Sequence, residues 1–224
     1  GCFKAGAPIH YPRYEPAQAL LAGLLEGYPR DVLALQVAHA FDYLLGNTGQ
    51  LRDRVSRLVP LWPRDMPGYS AVAAMFAFGL AENGDSAGAM DWCIRSLGRD
   101  PGSPRVHHAI AHTHEMTQQF ATGLHWLKDH VGDWSEATSV ATHCWWHLAL
   151  FHLRVGQPDT ALGIYDDHIR THRSATVAEL IDASSLLWRL NLDGQDVRGR
   201  WVDLADKWTH YIAEGFCAFN DLHA

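Results

Sequence analysis

The stretch GDSAGAMDWCIRSLGRDP, Gly84–Pro101, decides the fold. Its Gly-Asp opening is a turn between helices, since glycine accepts the left-handed backbone that ends one helix and aspartate caps the next. Ala89 is small enough for a close helix crossing, and Pro101 closes the segment. The turn signal recurs as Gly46-Asn47, Gly156-Gln157-Pro158 and Gly194-Gln195. Gly46 and Gly84 lie 38 residues apart, as do Gly156 and Gly194, and the 72 residues from Gly84 to Gly156 make two units of 36. A period of this length predicts an all-α fold: an α-solenoid of stacked antiparallel helix pairs, each burying its apolar face against the next.

Working outward, helical periodicity runs along almost the whole chain, and no stretch sustains strand-like alternation. Helices are predicted over 15–27, 31–46, 50–60, 68–83, 86–99, 104–118, 120–132, 138–155, 158–172, 177–193 and 198–216, with another beginning near Phe219. Pro16 suits a first helical turn and Asp31 an N-cap. Pro60, Pro63 and Pro67 break the chain between the third and fourth helices, and Asp100-Pro101 with Ser103-Pro104 separates the fifth from the sixth. Residues 1–14 read as an irregular N-terminal arm and 15–224 as a single α-solenoid repeat domain. Both ends are expected to be the cut edges of a longer repeat protein.

Gly84–Pro101 resembles a tetratricopeptide repeat. GQPDTALGIYDDHI, Gly156–Ile169, repeats the turn and places Ala161 equivalently, while Gln118–Lys128 keeps only Gly123 at the small position. A wider resemblance rests on motifs in one order: VAHAFDYLLG, LRDRVSRLVPLWPRDMPGYSAVAAMFAFGLAENG, VHHAIAHTHEM, THCWWHLAL, GIYDDHI, IDASSLLWRLNLDG and FNDLHA. The chain is similar in this to the middle portion of a bacterial-type member of the tetratricopeptide repeat protein 38 family. That resemblance implies an all-helical repeat fold, and members usually longer at both ends. It brings no reaction or substrate with it.

Composition narrows the function classes. The 224 residues are 47% apolar, enough for a sizeable core. A net charge of −7 with histidines neutral argues against a phosphate backbone as partner, and so against nucleic acid. No apolar run approaches the ~18–20 residues of a membrane-spanning helix. The opening GCFKAGAPIHYPRYEP lacks the organisation of a secretory signal. Cys2, Cys93, Cys144 and Cys217 are far apart without a CxxC pair, which fits reduced thiols and a cytoplasmic location.

The chemistry is concentrated in histidine. RVHHAIAHTHEM, Arg105–Met116, and THCWWH, Thr142–His147, each carry two histidines four residues apart: His108 and His112, then His143 and His147. Such residues lie one above the other on a helix face. The turn count puts both pairs on first helices of their repeats, whose faces line the concave surface of tetratricopeptide arrays. Glu115 continues the first row, and Arg154 is placed to share the face of His143. Asp182 enters from the following first helix, and Asn220, Asp221 and His223 close the far end. Three or four such ligands suit zinc or another first-row divalent metal. Without metal, the same groups supply a histidine base oriented by Glu115 or Asp182. The plainer reading is that each histidine bonds a backbone carbonyl or a neighbouring Trp or Asp within the packing.

Other catalytic patterns fail. HExxH needs histidine at position 118, where Gln118 stands, and the same residue denies Glu115 the Glu-x-x-His spacing of a carboxylate-bridged site. Cys144 follows His143, but consecutive helical residues point about 100° apart, and a buried thiol is expected. Ser184 and Ser185 lack a nucleophile elbow, and no glycine-rich phosphate loop is present. Trp145, Trp146, Trp188, Trp201 and Trp208 mostly read as packing between helices, with the alternative that some line a pocket with the histidines. Arg52, Asp53, Arg54 and Arg57 read as a solvated face with local ion pairs.

The expected function is binding of a small molecule or peptide partner in a histidine- and aromatic-lined concave groove. The alternative is a His- or metal-dependent enzyme, of hydrolase or proton-transfer type, using the same cluster. Self-association through repeat edges is compatible with either.

Overall fold

A computed structural model describes residues 14–136, 138–212 and 218–224. Among these the chain is all-α, with no strand. Helix α1 (Glu15–Gly27) precedes five pairs: α2 (Val32–Leu44) with α3 (Thr48–Leu58), α4 (Tyr69–Glu82) with α5 (Ser86–Leu97), and α6 (Pro104–Met116) with α7 (Phe120–Asp129). After a short α8 (Val131–Trp134) come α9 (Ser139–Arg154) with α10 (Pro158–Ile164), then α11 (Val177–Leu192) with α12 (Arg198–Trp208). Helix α13 (Ala218–His223) follows. No helix among the described residues is long and apolar enough to cross a membrane. The expected arm at 1–14 lies outside the described residues except for Tyr14, as do Cys2 and Cys217.

Each first helix ends in the same hydrogen-bonded reversal. At the end of α4, Gly84 has φ +82°, its N–H donates to Ala81 at 2.9 Å, and the next N–H reaches Leu80 at 3.0 Å. Gly46, Gly156 and Gly194 repeat this pattern with φ of +69°, +78° and +89°. The sequence conceals a fifth turn. Gln118 adopts φ +58° at the end of α6, its N–H donating to Glu115 at 3.0 Å and that of Gln119 to His114 at 2.8 Å. Reversals therefore fall at 46, 84, 118, 156 and 194, at intervals of 38, 34, 38 and 38. The two units of 36 expected between Gly84 and Gly156 are instead 34 and 38 residues, and glutamine stands at the dividing turn where glycine would have revealed it.

The first helices form a row, α2 against α4, α4 against α6, α6 against α9 and α9 against α11, with each second helix packed on its own first helix. Small residues set the spacing. Ala89 and Ala161 are fully buried, and a Cβ at Gly79 would collide with the Leu51 carbonyl. At Gly123 a Cβ would lie 2.6 Å from the Phe151 ring. Core side chains such as Leu35, Ile110, Leu127, Phe151 and Leu186 fill the space between the two rows. Asp31 caps α2 by accepting from the Ala34 N–H at 2.9 Å.

Several local expectations differ. Arg54 does not belong to a solvated face: it is buried and donates to both oxygens of the fully buried Asp42 at 2.7 and 3.1 Å, tying α3 to α2. Arg52 and Asp53 do form the exposed local pair at 2.7 Å. Trp188 is 58% exposed and packs little. The helix expected over 120–132 is interrupted at His130, and α10 widens into a π-helical turn over Tyr165–Ile169. The helix expected over 198–216 stops at Trp208, where turns carry Tyr211 back so that its hydroxyl donates to the Ala175 carbonyl at 2.8 Å.

A non-glycine residue in the left-handed region is strained by ~1–2 kcal/mol. Gln118→Gly should raise stability by about 1 kcal/mol, and Gly84→Ala should lower it by about the same amount. No atom lies within 4 Å of a Cβ at Gly84, so its cost is conformational alone. Urea unfolding of the two variants beside the parent chain measures both effects.

Candidate metal centre and ligand cavity

The first helices α2, α4, α6, α9 and α11 share one wall of a cavity of about 1090 Å³, which residues of α12, the turn after it and α13 close. Its floor is the contact between α6 and α9. His108 and His112 rise from one helix, His143 and His147 from the other, each pair one helical turn apart. Their ring centroids form a quadrilateral: 4.5 Å from His108 to His112, 4.6 Å to His147, 4.8 Å on to His143 and 4.8 Å back to His108. One ligand nitrogen from each ring lies within 4.8 Å of all the others. The two HxxxH pairs expected to converge do so.

Carboxylates stand behind three of the four rings. Asp182 of α11 lies 2.8 Å from His143 Nδ1 and is hydrogen-bonded to it, and Glu82 of α4 lies 3.0 Å from His112 Nδ1 in the same way. Glu115 Oε2 is 3.0 Å from His147 Nδ1 but out of line for a hydrogen bond. These contacts occupy Nδ1 of His112 and His143 and leave Nε2 as the nitrogen available to a ligand. His108 Nε2 and both nitrogens of His147 are buried without any hydrogen-bond partner. Unpartnered polar atoms of this kind cost about 1–3 kcal/mol each, so so many in one place need a physical reason.

Burial pushes His108 well below its ordinary pKa, and the neighbouring His112, His143 and His147 push it further. His147 is lowered by burial and by His112 and His143. Burial also opposes charge on His143, but the Asp182 carboxylate outweighs it and the net shift is upward. Neutral rings are the form that binds metal. The arrangement gathers four imidazoles, with Glu82 and Asp182 fixing the orientation of His112 and His143 as carboxylates behind ligand histidines do in zinc sites.

Glu115 and Asp182 therefore reach the cluster as expected. Asn220, Asp221 and His223 line the same cavity from α13. Arg154 does not share the His143 face: its guanidinium sits 5.2 Å over the Phe120 ring and outside the cavity. Trp146 stacks on His143 with ring centroids 5.0 Å apart and lines the cavity, the alternative left open for some of the tryptophans. Cys144 is buried beneath the centre, its thiol pushed up by burial and by Asp182.

Glu82, His39, Phe78, Arg105 and Arg189 escaped the sequence reading yet line the cavity. Counting back from each turn would have found some of them. Phe78 and His112 each precede their turn by six residues, and Met75, His147 and Ser185 each by nine. The hidden turn at Gln118 broke that count. His39 Nε2 meets the Met75 carbonyl at 3.2 Å, and burial lowers its pKa to about 4. Arg105 is half-buried in the first turn of α6, and burial opposes its charge. Arg189 donates to the carbonyl and hydroxyl of Ser185 and lies 5.7 Å over Trp146.

No protein-family model matches the chain.

The depressed His39 gives a pH prediction. Unfolded, it titrates near 6.5; folded, near 4, so between these values the unfolded chain binds more protons and stability rises with pH. Lowering pH from 7 to 5 should cost about 2 kcal/mol through this residue. His107 and His108, also shifted downward, act in the same direction, while His143 opposes it. Urea unfolding at both pH values, with His39→Gln flattening the difference, measures the contribution.

Proposed function

We propose that the chain binds a small organic molecule in this cavity and holds a divalent transition metal, zinc by preference, on His108, His112, His143 and His147 at its floor. We also read the five helix pairs as tetratricopeptide-type repeats stacked into a solenoid, with the cavity as its concave groove. The resemblance to the tetratricopeptide repeat protein 38 family supports that reading and implies a longer parent protein, and the scattered cysteines favour a cytoplasmic location. One observation carries the metal assignment: ring nitrogens of His108 and His147 are buried without a hydrogen-bond partner inside a cluster of four imidazoles. A dication satisfies His108 and one nitrogen of His147 at once. Zinc–nitrogen bonds of about 2.0–2.1 Å require the nitrogens to stand somewhat closer than 4.8 Å, within the reach of small side-chain rotations.

The cavity volume lies just above the ~300–1000 Å³ typical of small-molecule sites, with largely apolar walls and a few placed polar groups. This favours a small ligand over a long peptide. A second reading, a metal- or His-dependent hydrolase, is supported by the His143–Asp182 pair. The two are joined at 2.8 Å beside the cavity, and a histidine whose charged form is favoured can deliver a proton to a bound ligand. A bound dication would supply Lewis acidity and an activated water at neutral pH.

Protein purified without a histidine tag should contain close to one zinc per chain. His112→Ala and His147→Ala should each lose it while keeping their helical signal, and parent protein should gain roughly 2–3 kcal/mol of stability at zinc a hundredfold above Kd. Folded parent protein that takes up neither zinc nor cobalt overturns the metal assignment.

A further inference from the structure

The carboxylates on the helical walls of the cavity have imidazole neighbours, whereas Arg105, beside His39 and His108, has no acidic partner. Glu82 is held by His112, Asp182 by His143, and Glu115 stands beside His147. Arg189 is occupied by Ser185 and Trp146 and feels Glu115. Arg105 has no hydrogen bond or ion pair to any described residue, and no acidic group offsets its burial. It also stands in the first turn of α6, where the helix dipole disfavours a cation. Three residues before His108, it lies on the same face of α6 as the imidazole floor, one turn nearer the helix start. A guanidinium placed against the helix field, half out of water and without a counter-ion, gives nothing to the fold. It is suited to a planar or tetrahedral oxyanion, which it grips through two parallel N–H donors.

Much of the remaining wall is apolar. Phe78 and Met75 of α4 flank the floor on one side, Trp146 of α9 and Ile181 of α11 on the other. Asp221, whose Oδ2 is buried without a partner, sits on α13 against α11, away from α6. At the start of α6, Arg105 keeps no acidic group that offsets its burial.

We propose that the organic ligand carries an acid group, a carboxylate or phosphate, that pairs with Arg105, and an aromatic or aliphatic body that lies between Phe78 and Trp146. This rests on the small-molecule reading of the cavity but not on the metal. The acid binds at the rim one turn from the histidines, so a metal on the floor would face the ligand's body or an adjacent polar group.

The test uses three probes with one ring system, 2-naphthoate, 2-naphthyl phosphate and neutral 2-naphthamide, titrated calorimetrically into the tag-free chain. Each is run on chelator-stripped and on zinc-loaded protein. At least one acid should bind about tenfold or more tightly than the amide in both preparations, as expected for charge-assisted bonds to a fork of donors. Which acid binds more tightly separates a carboxylate from a phosphate ligand. Arg105→Gln should abolish the preference with amide affinity unchanged. Arg105→Lys, keeping charge without the fork, should retain part of it, and decides the matter if the glutamine variant loses its helical signal. Equal affinity for acids and amide, no binding by either acid, or a preference that survives Arg105→Gln overturns the proposal. A preference present in the stripped protein stands even if no zinc is ever taken up. Zinc uptake without any acid preference leaves the metal centre standing and removes the acid ligand.

Discussion

Everything in this molecule depends on a backbone reversal at the end of each first helix. Five residues hold positive φ at nearly regular intervals, and each turns the chain so that the next first helix returns beside the previous one. The reversal satisfies the terminal carbonyls that a helix end leaves open, so order within the chain becomes order in space. Side chains at matching offsets from successive turns then fall on one wall. A cavity lined by five first helices follows from that repetition and needs no special architecture of its own.

On this wall α6 and α9 bring four imidazoles together. Burial favours the neutral forms of His108 and His147, and repulsion from the neighbouring rings reinforces that preference. Asp182 and Glu82 hold two of the rings from the flanking first helices, α11 and α4. The centre is thus built across four consecutive first helices. Displacing any one of them would loosen it, which couples the chemistry of the floor to the packing of the row. Arg105 and Trp146 extend the same wall toward the cavity space, one by charge and the other by apolar surface.

Much of this was legible from residues alone. Glycine in a Gly-Asp, Gly-Asn or Gly-Gln pair announces a left-handed position because other residues avoid it, and four of the five turns were found on that ground. The turn at Gln118 was not, because a strained glutamine carries no such signal. The pairs His108/His112 and His143/His147 were legible because four-residue spacing fixes a helix face. Glu82 was not, since its partner His112 stands 30 residues away on the next first helix. Arg54 looked solvated within a run of charges, yet Asp42, twelve residues earlier, draws it inward. Trp188 looked like packing and is exposed, since an aromatic residue at a helical position does not reveal which face the neighbours cover.

The sequence by itself determined the helices, most of their reversals and the two histidine rows, because all three follow from short-range rules of backbone conformation and helical pitch. Only the tertiary structure decided which carboxylate stands behind which imidazole, which ring nitrogens remain without a partner, and which arginine faces the cavity without a counter-ion. Those facts depend on distances between residues about 30 to 40 positions apart, set by how closely small residues such as Gly79, Ala89 and Gly123 let the helices approach. A periodic pattern gives the direction of a side chain around its own helix. It does not give the separation between helices, and that separation decides what the side chain meets.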